Sequence, residues 1–105
     1  MPASDRANPS VEGAAGKVSQ CVTVINQRGL HARAAARFVK LAGGFDAAVT
    51  VTARGTTVAG LSIMGLMMLA AGPGTELEIA ARGEDARAAV EALAALVAKR
   101  FDESE

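Results

Sequence analysis

Residues 47–59 read Ala-Ala-Val-Thr-Val-Thr-Ala-Arg-Gly-Thr-Thr-Val-Ala. Residues rich in Val and Thr fall in two short runs, 47–52 and 56–59, on either side of Ala53-Arg54-Gly55. Two such runs split by a short break containing glycine predict a β-hairpin. Strands joined that tightly pair antiparallel, because a parallel pair needs a long crossover. An all-parallel sheet is therefore excluded, and the flanking segments must be fitted around an antiparallel pair.

Toward the N-terminus, residues 32–42 (ARAAARFVKLA) are strong helix formers. Ala35, Phe38, Val39 and Ala42 are spaced for one apolar face, and Gly43-Gly44 ends the helix. Before it, Asn26-Gln27-Arg28-Gly29 is a loop. Earlier still, residues 18–25 (VSQCVTVI) alternate as a strand with Val18, Val22 and Val24 on one parity. Residues 1–16 are rich in Pro, Ser, Gly, Ala and Asn with no hydrophobic period, and are expected to be a flexible tail. Toward the C-terminus, residues 62–69 (SIMGLMML) predict a short helix capped by Ser62. Gly72-Pro73-Gly74 breaks the chain, and residues 75–81 (TELEIAA) alternate as a strand. Asp85 is expected to cap a last helix running to about Arg100, with Ala86, Ala89, Val90, Leu93, Leu96 and Val97 on its inner face. The order β-α-β-β-α-β-α implies an α+β domain, residues 17–105, with helices packed on one face of an antiparallel sheet.

Composition narrows the function. The 105 residues carry 11 Lys and Arg against 11 Asp and Glu, with no Trp or Tyr. A nucleic-acid binder normally shows a basic face and often stacking aromatics, so that class is not expected. No apolar run approaches the roughly 18 residues that span a bilayer, and no signal-peptide h-region opens the chain. Cys21 is the only cysteine, which rules out an internal disulfide. Its place in an alternating apolar run predicts a buried structural thiol. A cytoplasmic protein is expected, with no metal site and no bound cofactor.

His31 is the only histidine. It follows a glycine-containing loop and directly precedes the predicted helix. The first turn of a helix presents backbone N–H groups without intrahelical partners, and the helix dipole adds partial positive charge. Those features make an anion site, which the guanidinium of Arg33 can reinforce. Imidazole titrates near neutrality, so a neutral nucleophile is available there. A plain helix cap or surface histidine is the competing reading of the same position. Nothing else in the sequence suggests a partner acid or second nucleophile, which points to a carrier that depends on other proteins.

Gly29-Leu30-His31-Ala32-Arg33, followed by Ala-Ala-Arg-Phe-Val, resembles the active-site segment of the HPr family, the histidine-containing phosphocarriers of the bacterial phosphoenolpyruvate-dependent phosphotransferase system. Leu61-Ser62-Ile63-Met64-Gly65-Leu66-Met67 resembles that family's regulatory-serine segment at the matching separation. The similarity spans about residues 18–101. It implies an open-faced sandwich of four antiparallel strands under three helices. It also implies that His31 accepts a phosphoryl group from Enzyme I on a ring nitrogen, with Arg33 stabilising the charge, and passes the group to an Enzyme IIA-type protein. Ser62 is then a candidate for regulatory phosphorylation by HPr kinase/phosphorylase, and Ile63, Met64 and Met67 form a docking patch for partners. Two departures stand out: Ala34 replaces the family's usual proline, and Leu61 replaces a frequent lysine. Losing that proline is expected to cost about 0.4–1 kcal/mol through the unfolded state without abolishing the site.

Two other readings remain open at this level. One is a regulatory interaction module of the nitrogen-related phosphotransferase branch, acting through its phosphorylation state without sugar transport. The other is a small domain that binds a metabolite non-covalently, which so compact and alanine-rich a chain is poorly suited to do. A monomer is expected of a carrier that docks successive partners on one face.

Overall fold

Alternating apolar residues build a sheet that the helices cover from one side. A computed structural model describes residues 17–103, so the expected tail at residues 1–16 lies outside the described residues. The elements are β1 (Lys17–Thr23), α1 (Ala32–Ala42), β2 (Ala48–Ala53), β3 (Thr56–Ala59), α2 (Ile63–Met68), β4 (Glu76–Arg82) and α3 (Ala86–Ala98), followed by a 3-10 turn at Arg100–Asp102. The sheet order is β1-β4-β2-β3, and every neighbouring pair is antiparallel. This is the expected open-faced α+β sandwich.

The hairpin turns on two residues. Ala53 pairs with Thr56, and both Arg54 (φ 49°) and Gly55 (φ 84°) are left-handed, as the tight turn that matches strand twist requires. In the register, Val22 faces Leu77 and Val51 faces Ile79. Val51, Leu77 and Ile79 are fully buried, and Phe38 of α1 with Val90, Leu93 and Val97 of α3 closes the core over them. All six expected inner-face residues of α3 are buried; on α1, Ala35, Phe38 and Ala42 are buried and Val39 is half-buried.

Four expectations need correction. Cys21 is exposed, not a buried thiol. It has the opposite parity to Val18 and Val22 and pairs with Glu78 on the sheet face that carries no helices. Asp85 stands at the N-cap of α3 but makes no side-chain cap. Its carboxylate instead accepts the Asp46 N–H at 2.7 Å, tying the start of α3 to the segment leading into β2. The final helix stops at Ala98 rather than Arg100, because Arg100, Phe101 and Asp102 all take left-handed φ values of 59°, 54° and 64°. β1 also ends at Thr23, two residues short of the expected Ile25, although Val24 stays bonded to the chain around Gly74 and Thr75.

Candidate functional site

The loop before α1 is held against the backbone of residues 71–72. Gly29 adopts φ +65° and donates to the Asn26 carbonyl at 3.1 Å. The next N–H, of Leu30, donates to the Ala71 carbonyl at 2.9 Å. Leu30 is buried, so this docking fixes where the following residue emerges. That residue is His31, which leaves the loop in an extended conformation (φ −76°, ψ −179°) as the N-cap of α1. Its Nδ1 accepts the Arg33 N–H at 3.3 Å. The capping role is thus real, and it aims one ring nitrogen at the positive end of the helix.

The other ring nitrogen meets a group from the far end of the chain. Nε2 is hydrogen-bonded to Oε2 of Glu103, while Oε1 of the same carboxylate accepts from Nδ2 of Asn26 at 3.0 Å. Asn26 is fully buried, and its Nδ2 also donates to the Gly29 carbonyl at 2.9 Å. Both its amide protons are therefore committed, one to the loop and one to Glu103. Partial burial tends to raise the Glu103 carboxyl. The hydrogen bonds from His31 and Asn26, with the charge of Arg28 and, whenever the ring is protonated, that of His31, outweigh this and lower it. Glu103 is brought here by the left-handed turn at residues 100–102. That turn is anchored by the fully buried Phe101 ring and by Arg37 of α1, whose guanidinium donates to the Phe101 carbonyl.

A carboxylate can only accept and a backbone N–H can only donate, so the ring's protonation pattern follows. The proton sits on Nε2, facing Glu103, and Nδ1 carries the lone pair. The ring is partly exposed at the N-terminus of α1, where first-turn amides lack intrahelical partners. Such an arrangement can present a nucleophilic nitrogen to an electrophile and receive negative charge beside it.

Arg33 is exposed, and it touches the His31 ring through its backbone N–H. Ala34, at the position of the family's usual proline, is fully buried in α1. Ser62 caps α2 as expected, its Oγ accepting the Gly65 N–H at 2.9 Å. α2 packs against α1, with Leu66 and Leu69 turned inward. Ile63, Met64 and Met67 point outward, joined by Leu61 and by Met68, which is 77% exposed. Arg54 supports the end of this helix by donating to the Leu69 carbonyl. Sequence reasoning missed Asn26, Arg37 and Glu103. Asn26 carried a faint signal, a polar residue wedged between Val24-Ile25 and Gly29. Glu103 carried none within its run of acidic residues.

The family described as "PTS HPr component phosphorylation site" matches residues 18–99. The phosphocarrier protein HPr of Cupriavidus necator is 48% identical over 83 residues, covering 79% of this chain and 93% of that protein. The phosphocarrier protein NPr of Shewanella violacea is 41% identical over 88 residues, covering 84% of this chain and 97% of that protein. Among solved structures, the crystal structure of a Bacillus anthracis phosphocarrier protein HPr superposes with a TM-score of 0.72 at 46% identity, covering 75% of this chain and 94% of that one.

Proposed function

Since this chain belongs to the HPr family of phosphocarrier proteins, we propose that it accepts a phosphoryl group on Nδ1 of His31 from Enzyme I and passes it to an Enzyme IIA-type protein. The observation that supports this most is the placement of the ring: Nε2 against Glu103, Nδ1 at the start of α1 and the side chain partly exposed. In the step, the Nδ1 lone pair forms a bond to phosphorus. The bond from phosphorus to the donor atom breaks, and that electron pair leaves with the donor. The Nε2 proton stays where it is. The Arg33 N–H, released from Nδ1, then donates to a phosphoryl oxygen, and the Arg33 guanidinium offsets the new charge. Delivery to the acceptor reverses these movements, so the protein works as a stoichiometric carrier and not as an enzyme with turnover of its own.

Ser62 is the second site we assign, for regulatory phosphorylation by an ATP-using HPr kinase/phosphorylase. A phosphate there adds about −1.5 to −2 charge beside Ile63, Met64 and Met67. Those apolar side chains suit an adaptable docking surface, and a dianion among them opposes docking by repulsion and desolvation. Among the described residues, no helix is long and apolar enough to cross a membrane. The proposed setting is the cytoplasm, with the monomer as the working unit. The likeness to NPr favours a second reading alongside the first: a regulatory module of the nitrogen-related branch, acting through its phosphorylation state without sugar transport.

The test is intact mass after incubation with phosphoenolpyruvate and an Enzyme I shown active on another carrier. Wild type and Ser62→Ala should each gain one acid-labile phosphate, and His31→Ala none. A folded wild type that gains no phosphate removes the relay reading. Retained regulation of a partner by His31→Ala then favours the module.

A further inference from the structure

Glu103 lies 72 residues from His31 in the chain and yet holds its Nε2. We infer that Glu103, oriented by Asn26, is a positioning residue for phosphoryl transfer: it fixes the proton of His31 on Nε2 and so keeps the Nδ1 lone pair free for phosphorus. This rests on His31 being the phosphoryl acceptor.

The argument begins with Asn26. Its amide nitrogen is surrounded by acceptors, the Gly29 carbonyl and Glu103 Oε1, so the amide has one orientation and always offers Glu103 a donor. That leaves Glu103 Oε2 to face the imidazole. An ionised carboxylate has no proton to give, so the imidazole must supply one from Nε2. The opposite tautomer would put two lone pairs against each other at Nε2 and two N–H groups against each other at Nδ1, where Arg33 donates. Both ends of the ring therefore select the same form.

Charge adds to geometry. When Nδ1 takes the phosphoryl group, the lone pair becomes an N–P bond and the ring becomes cationic, with its proton still on Nε2. The Glu103 carboxylate lies against that proton and stabilises the cation as it forms. The effect is worth more in the phosphorylated state than in the free one, which makes it an effect on transfer and not only on folding.

The turn that delivers Glu103 fits this purpose. Three consecutive non-glycine residues, Arg100, Phe101 and Asp102, are left-handed, a conformation L-residues rarely adopt in series. Phe101 burial and the Arg37 guanidinium hold them there. Without that reversal, α3 would carry the chain past the site.

Two substitutions separate positioning from mere structure. In Glu103→Gln the shape is kept. Asn26 still demands an acceptor, so the new amide turns its oxygen to Asn26 and its NH2 to His31. That NH2 requires a lone pair on Nε2 and drives the proton to Nδ1, the nitrogen meant to attack. In Glu103→Ala the ring is released and takes its own tautomer mixture. The expected order of initial phosphorylation rates with phosphoenolpyruvate and Enzyme I is wild type, then Glu103→Ala, then Glu103→Gln. The Gln variant should lose roughly tenfold or more, as expected for a hydrogen bond to a charged group. Nitrogen-15 NMR of His31 in the free protein should show the Nε2–H tautomer in wild type and a shift toward Nδ1–H in Glu103→Gln. A merely structural Glu103 predicts the reverse order, with the isosteric Gln nearest to wild type. That order, or an unchanged tautomer in Glu103→Gln, overturns the inference. Should wild type accept no phosphate, the carrier reading fails by itself, and the tautomer measurement still decides what Glu103 does.

Discussion

Replacing Gly29 with alanine should disable the site from outside it. Two independent penalties meet at this residue. Its φ of +65° is left-handed, which costs an L-residue about 1–2 kcal/mol. An added Cβ would also lie 2.3 Å from the Ala71 carbonyl oxygen and 2.9 Å from Gly72 Cα, and neither backbone atom can swing aside as a side chain would. The loop must therefore lift off residues 71–72, losing the Leu30–Ala71 hydrogen bond, worth about 0.5–1.5 kcal/mol. Together these predict a loss of about 1.5–3.5 kcal/mol, or a fall in Tm of about 6–28 °C for a domain of this size. Gly55 supplies the internal control. Its φ is +84°, but nothing lies within 4 Å of its added Cβ, so Gly55→Ala incurs the backbone penalty alone. Urea denaturation and calorimetry of both variants should place Gly29→Ala about 0.5–1.5 kcal/mol below Gly55→Ala. Phosphorylation should separate them further, because His31 moves with the loop, and a displacement near 1 Å costs on the order of a hundredfold in rate. Equal destabilisation by the two alanines would refute the idea that the loop is positioned by contact with residues 71–72.

Glu103 gives a pH prediction whose sign follows from its lowered carboxyl. The unfolded chain takes up the proton first on acidification. The stabilisation from Glu103 is thus complete above the ordinary glutamate range, about pH 4, and is lost as pH falls through the folded value. Urea titrations at pH 5, 4 and 3 should show the stability gap between wild type and Glu103→Gln closing on the acid side. Met64, 69% exposed on α2, should tolerate Met64→Glu with a stability change within about 0.5 kcal/mol. The same change should raise the KM for this protein as a substrate of Enzyme I, and an unaltered KM would place docking elsewhere. Exposed Cys21 should react fully with a thiol reagent under native conditions, and Cys21→Ser should leave Tm within a few degrees of wild type.

What was legible in the sequence was local. The hairpin, the Ser62 cap and the inward stripe of α3 each depend on residues a few positions apart and were read from them, although Ala53, read as part of the break, pairs with Thr56 as the last residue of its strand. The start of α1 was legible for the same reason: a loop glycine, a capping histidine and a helical run are neighbours. The misreadings were failures to know what lies on the other side. Whether Cys21 is buried depends on whether that sheet face is covered, and alternation predicts parity but not which parity meets a helix. Asp85 looked like a cap because acidic residues cap helices, yet the Asp46 N–H, 39 residues away, competes for the same carboxylate.

The Glu103 contact belongs to this second kind, and it changes what the segment around His31 can do. The segment from Gly29 to Arg33 supplies an imidazole, a docked loop and a helix terminus, but by itself it leaves the imidazole free to exchange its proton between nitrogens. The choice of nitrogen is made by a carboxylate that reaches the ring only because Phe101 is buried and Arg37 holds the turn before it. Phe101 is a core residue, and its side chain touches no reacting atom. Its burial nevertheless sets where Glu103 falls, so the packing of the C-terminal turn and the reactivity of His31 are one physical problem. Substitutions that loosen that turn should therefore shift the His31 tautomer as well as lower stability.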